Sequence, residues 1–256
     1  MFTETLDFLI GAAQKKAKFI NESKGRYLLA SAYAGIFVGL GILLIMVVGG
    51  IGTAAGSPFT KVIMGASFGI ALSLVIMAGS ELFTGNNMIM MAGSLDKKVS
   101  WKDSIAIWIY SYIGNFIGSF FIGYLFFMTN IAGSATGDFI LKVAGSKMND
   151  AFMPLFFKGI ICNMLVCLAV LCSLKLKSES GKLIMIFWCL FAFITIGAEH
   201  SIANMTIFAM ALFQPHPETV SIMGMINNLI PVTLGNFVGG GVILGAGYYY
   251  LGSSKK

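Results

Sequence analysis

Gly79-Ser80-Glu81-Leu82-Phe83-Thr84-Gly85-Asn86-Asn87 interrupts an otherwise apolar run from Val62 to Ala92. The run is 31 residues long, where a simple membrane-spanning helix needs about 20. A carboxylate, two hydroxyls and two amides at mid-bilayer depth cannot face lipid. Irregular backbone is tolerated there only when it is buried in protein or lines a cavity. The stretch therefore predicts a helix broken into two halves, with the polar break at a permeation site.

A second stretch answers the first. Gly197-Ala198-Glu199-His200-Ser201-Ile202-Ala203-Asn204 lies inside the apolar run Leu183 to Phe213, also 31 residues. Both breaks carry Gly-x-Glu, and both end in Asn before apolar sequence resumes. Gly114-Asn115-Phe116-Ile117-Gly118 and Gly235-Asn236-Phe237-Val238-Gly239 form a further matched pair. The offsets, 118 between the breaks and 121 between the Gly-Asn-Phe-x-Gly segments, divide the chain into two halves of three spans each. An odd number of spans inverts the second half relative to the first, and such a repeat places its site where the halves meet near the midplane.

Composition agrees with a membrane protein. Of 256 residues, 57% are hydrophobic and 11% charged, against about 25% charged in soluble domains. Six spans are expected at about residues 28–48, 62–92, 104–128, 152–174, 183–213 and 225–251, within a single integral domain covering 1–256. The net charge of +6 reads as topology rather than as affinity for nucleic acid. Thirteen of the seventeen Lys and Arg lie before span one, after spans two and four, or at the end of the chain, as Lys255 and Lys256. This bias puts both termini in the cytoplasm. Residues 1–26 do not read as a signal peptide, because acidic Glu4 and Asp7 precede the basic cluster. Phe2, Leu6, Leu9, Ala13, Ala17 and Ile20 instead give one apolar stripe, with lysines around it, as in an interfacial amphipathic helix. Cys162, Cys167, Cys172 and Cys189 lie in apolar sequence without a C-x-x-C pair and read as packing residues. No cofactor or metal is expected.

The Glu81-Leu82-Phe83-Thr84-Gly85 segment, the Gly197-Ala198-Glu199-His200 break and the two Gly-Asn-Phe-x-Gly segments resemble the formate/nitrite transporter family, essentially from end to end. The Thr84-Gly85-Asn86-Asn87 continuation and the short tails resemble its hydrosulfide-conducting branch more than its formate branch. The resemblance implies an all-α, aquaporin-like protomer with spans two and five broken, assembled as a homopentamer in the bacterial cytoplasmic membrane with one pore per protomer. It implies small monovalent weak-acid anions (hydrosulfide, formate or nitrite) as solutes.

It also implies roles for individual residues. His200 is the one histidine within a span, and an ionisable group in the membrane is expensive enough to suggest function over packing. The resemblance sets it in mid-pore beside Thr84, as a titratable donor. Phe68, Leu72, Leu82, Phe83 and Phe193 would form two apolar constrictions around it, although periodicity alone favours helix packing. Lys147, sixteen residues before Asn163, would flank the pore mouth with it and attract anions. From spacing alone Lys147 could equally be a solvated loop residue. Glu81 and Glu199 would repel an anion if they lined its path. They are expected to accept hydrogen bonds from backbone N–H groups freed at the breaks, with Asn204 and Asn86 supporting the loops.

Other function classes fit less well. The paired Asn-Pro-Ala signature of a water or glycerol channel is absent. An ammonium channel would want two pore histidines. The adjacent His200 and Ser201 point about 100° apart on a helix, which suits no nucleophile–base pair of an intramembrane enzyme. Substrate choice, and channel-like versus proton-coupled flux, stay open at this level.

Overall fold

In the computed structural model, which describes residues 1–131 and 133–253, Ser23 is the one extended residue between the first two helices. The first helix, α1, covers Phe2–Glu22 and buries Leu6, Leu9, Ala13, Ala17 and Ile20 at helical spacing. Phe2 stays exposed, so the stripe is one residue shorter than expected. The Ser23 hydroxyl caps α2 (Lys24–Ala54) by accepting from the Arg26 N–H at 3.3 Å. Lys24 and Arg26 therefore open the first span and do not close the amphipathic segment. Lys255 and Lys256 lie outside the described residues.

Six helices among the described residues are long and apolar enough to cross a membrane. Span two is α3 (Thr60–Ser67), α4 (Gly69–Met77) and α5 (Phe83–Leu95), and span three is α6 (Trp101–Phe127). After α7 (Ala135–Met148) come span four, α8 (Phe152–Lys175), and span five, α9 (Glu179–Ile196) with α10 (Ser201–Phe213). Span six joins α11 (Ile222–Phe237) to a π-helical stretch (Val238–Ala246) and the short α12 (Gly247–Gly252). On α6, Ile105, Ile109, Ile113, Ile117, Phe121 and Leu125 recur every fourth residue and all stand exposed. Such a stripe suits lipid or a neighbouring protomer and not water.

The inverted repeat is visible in the packing. The most extensive helix pairs are α2 with α6 and α8 with α11, which are corresponding pairs in the two halves. The glycines of the repeated motif make them close: a Cβ on Gly118 would overlap the Ala32 carbonyl, and one on Gly235 the Phe156 carbonyl. Sequence reasoning missed α7. Its Asp138, Lys142 and Lys147 hide a stripe of Ile140, Ala144 and Met148, which packs toward α2, α10 and α11. It precedes α8 as α1 precedes α2, so each half is one amphipathic helix followed by three spans.

Both breaks are narrower than expected. Helix resumes at Phe83 and at Ser201, so 83–87 and 201–204 are helical, and the irregular backbone is confined to 78–82 and 197–200. Gly79 (φ +80°) and Gly197 (φ +78°) stop the preceding helices in the left-handed region, which glycine enters without steric cost.

Candidate functional site

Asn115 and Asn236 explain why the helices resume so early. Phe83 N–H donates to Asn115 Oδ1 at 2.9 Å, while Asn115 Nδ2 donates to the carbonyls of Ser31 (2.7 Å) and Glu81 (2.9 Å). In the other half Ser201 N–H donates to Asn236 Oδ1 at 2.9 Å. Asn236 Nδ2 donates to the carbonyls of Gly159 (2.8 Å) and Glu199 (2.9 Å). The two sets are the same bonds repeated. A side chain from the third span of each half supplies the partners that an orphaned helix start needs.

The carboxylates therefore do something other than what was expected of them. Among the described residues they accept from side chains and not from backbone N–H groups. Glu81 Oε2 accepts from Lys16 Nζ (2.8 Å), Tyr27 Oη (2.7 Å) and Asn86 Nδ2 (3.2 Å). Glu199 accepts from Lys147 Nζ (2.7 Å) and Asn204 Nδ2 (2.6 Å). Asn228 completes that network, accepting from Asn204 and donating to the Lys147 carbonyl. Each break is thus a Gly-x-Glu turn whose carboxylate is bound to an Asn five residues on and to a lysine from the amphipathic helix of its own half. Lys147 is neither a solvated loop residue nor an unpaired cation. Just outside the spans, a hydrogen bond from Lys158 holds the Asp150 carboxyl below the usual carboxylate range, and the two groups lie 2.7 Å apart.

Three cavities adjoin the two breaks and share lining residues. One vestibule, of about 450 Å³, is lined by Lys16 of α1 with Gly79, Ser80, Glu81, Leu72 and Leu82. The opposite vestibule, about 160 Å³, is lined by Lys61, Lys147, Gly197, Glu199, Phe193 and His200. A central chamber of about 10 Å³ shares Leu72 and Leu82 with the first and Phe193 and His200 with the second. Those shared residues border both the chamber and one of the vestibules. The chamber is lined by eight apolar residues, Phe68 and Val38 among them, and by His200. Its volume is about that of a single water probe.

His200 is held on three sides. Its Nδ1 accepts the Ala203 N–H at 3.1 Å, making it the N-cap of α10. Its Nε2 lies 2.9 Å from Thr84 Oγ1. Phe193 stacks on the imidazole with centroids 6.1 Å apart and meets Phe68 edge-on at 5.4 Å. Because Nδ1 is an acceptor, the proton of the neutral ring belongs on Nε2. A second proton would have to go on Nδ1 and displace the Ala203 N–H. The offset of 118 sets Leu82 at the position corresponding to His200, so the repeat supplies one polar and one aliphatic side chain to the same chamber.

The structure thus brings His200, Thr84, Phe68, Leu72, Leu82 and Phe193 together. Thr84 is fully buried and is tied to the chamber through the imidazole. Two residues fall elsewhere. Phe83 packs edge-on against Tyr112 at 5.0 Å and lines none of the three cavities. Asn163 is buried away from the mouth, where its Nδ2 donates to the carbonyls of Thr84 and Asn236 and ties the two halves together. Sequence reasoning missed Lys16, Tyr27, Asn228 and the capping role of Asn115 and Asn236. For the last two a signal existed, an amide at matched positions of two apolar spans. Lys16 and Tyr27 carried none.

A formate/nitrite transporter family model matches residues 3–250. The nitrite transporter NirC of Escherichia coli (strain K12) is 42% identical over 253 residues, covering 98% of this chain and 92% of that protein. A solved FNT family ion channel superposes with a TM-score of 0.91 at 38% identity, covering 97% of this chain and 99% of its own. A pentameric formate channel with formate bound gives 0.73 at 29% identity, covering 88% and 96%.

Proposed function

The chain belongs to the formate/nitrite transporter family, a family of transporters and channels and not of enzymes, and we propose that it conducts small monovalent weak-acid anions across the bacterial cytoplasmic membrane by letting them cross the centre as neutral acids. The observation that carries this reading is the central chamber, where one imidazole faces eight apolar residues in a space of about 10 Å³. An unpaired anion stripped of water there would face a penalty of several kcal/mol after relaxation, and of order 20 kcal/mol in the idealised limit. Its conjugate acid escapes most of that cost. The anion takes a proton from hydronium in one vestibule, passes the Leu72–Leu82 and Phe193–His200 constrictions as the uncharged acid, and gives the proton up to water on the far side.

His200 serves this step as a neutral hydrogen-bond donor. Nε2–H is the polar group that the dehydrated solute meets, and the Thr84 hydroxyl occupies it when the chamber is empty. The pH dependence then comes from the solute: flux rises as pH falls because more of it is protonated. Formate, nitrite and hydrosulfide share the single charge and small size that this path needs. Nitrite and formate are named in related proteins, and hydrosulfide is the solute that the Thr84-Gly85-Asn86-Asn87 segment suggests. The exposed apolar stripe of α6 and the pentameric neighbour support a homopentamer with one pore per protomer. The lysine bias supports cytoplasmic termini, which would put the α1-side vestibule in the cytoplasm. Purified protein in liposomes, offered each anion separately across imposed pH steps, tests the reading. Uptake that climbs on acidification is expected, and no uptake of any of the three would overturn it.

A further inference from the structure

The two vestibules differ in charge. Among the charged side chains lining them, the α1-side vestibule has Lys16 and Glu81, which pair at 2.8 Å and cancel. The α7-side vestibule has Lys61, Lys147 and Glu199. Lys147 is paired with Glu199 at 2.7 Å, and nearby Lys158 with Asp150 at 2.7 Å. Lys61 makes no ion pair or side-chain hydrogen bond among the described residues. It sits in the first turn of α3, exposed, with its Nζ 3.0 Å from where a Cβ on Gly197 would lie. The ammonium therefore rests directly over the second break, in space left open by the missing side chain. The repeat supplies no counterpart: the offset of 118 carries Lys61 onto Glu179, which does not line the α1-side vestibule.

We propose that Lys61 is the anion-capture residue of the α7-side mouth, holding a small monovalent anion above Gly197 before it loses water, and that this makes the two mouths unequal. The inference rests on the reading that the solute arrives as an anion. Lys147 is constrained by its carboxylate partner and works chiefly to hold the break. Lys61 has no such partner, and its charge faces the cavity. A unit charge at 6–8 Å from a solvated anion changes its local concentration roughly threefold. The gain disappears when the Debye length falls from about 10 Å at 0.1 M to 3 Å at 1 M salt.

The test is initial formate uptake into proteoliposomes at low formate, for the parent protein, Lys61→Gln, Lys61→Glu and Lys61→Arg, each at low and at 1 M ionic strength. At low salt Lys61→Gln should lose about threefold, Lys61→Glu about tenfold as the charge reverses, and Lys61→Arg little. At 1 M salt all four should converge. Parent-like flux for Lys61→Gln at low salt overturns the capture role, and so does a loss that persists unchanged at high salt. Absence of flux from the parent protein for every anion is the separate failure of the transport reading itself.

Discussion

Replacing Asn236 by Leu isolates the device that holds the second break open. Asn236 is fully buried, and Leu keeps its branching at Cγ, with bulkier methyls, while removing both polar atoms. Ser201 N–H then loses its side-chain partner, and the carbonyls of Gly159 and Glu199 each lose a donor. A buried donor left without a partner costs about 1–3 kcal/mol. Each carbonyl adds roughly 0.5–1.5 kcal/mol, and Gly159 stays near the low end because its helix bond survives. The total is about 2–5 kcal/mol, large for one substitution. It falls on the turn that positions His200 and Glu199, so flux and stability should drop together. Thermal unfolding of the detergent-solubilised protein, followed by the loss of the oligomer peak in size exclusion, reads the stability. Asn115→Leu should lose a similar amount, because Asn115 makes the same three bonds at the first break. If Asn236→Leu melts with the parent and conducts normally, the breaks are held by something else and the capping argument fails.

Other perturbations separate the remaining roles. His200→Asn keeps a residue type that caps helix starts well but removes the Nε2–H proposed to meet the solute. The variant should assemble normally and lose roughly 5- to 150-fold in flux, corresponding to about 1–3 kcal/mol for one hydrogen bond withheld from a dehydrated solute, while its flux still rises on acidification. A profile that turns flat would give the pH response to the ring and not to the solute. Lys147→Gln leaves Glu199 charged and nearly buried and should destabilise by about 3 kcal/mol, with Lys147→Gln/Glu199→Gln recovering part of the loss in the same melting assay. Gly239→Ala should push the π-helical stretch of span six from α8 at the Ile160 carbonyl and lower stability, whereas Gly11→Ala, with nothing within 4 Å of the added carbon, should not.

The broken helices, the inverted repeat and the central histidine were legible because each violates a rule of membrane sequence. Carboxylates, amides and paired glycines inside apolar runs have few explanations. The limits of the breaks were not legible, since helix resumes wherever its first N–H finds a partner. That partner stands more than thirty residues away, at Asn115 or Asn236. Sequence leaves Lys147 either at the pore mouth or on a solvated loop, because it does not show that Glu199 faces the lysine across 52 residues. Asn163 and Phe83 illustrate the same gap: the family resemblance suggested the pore, and the packing of α5, α8 and α11 turned both side chains elsewhere. The α7 helix was hidden by its charges, and the π-helical stretch by glycines that carry no periodicity.

The most direct measurement follows solute, protons and charge together during formate influx into proteoliposomes clamped at zero potential and then at an imposed potential. Passage of the neutral acid through the His200 chamber requires one proton taken up per formate, an acidifying lumen, no net current, and a rate indifferent to the imposed potential. Formate entry that carries current and scales with the potential, without lumen acidification, would mean that the bare anion crosses the apolar chamber and would contradict the mechanism.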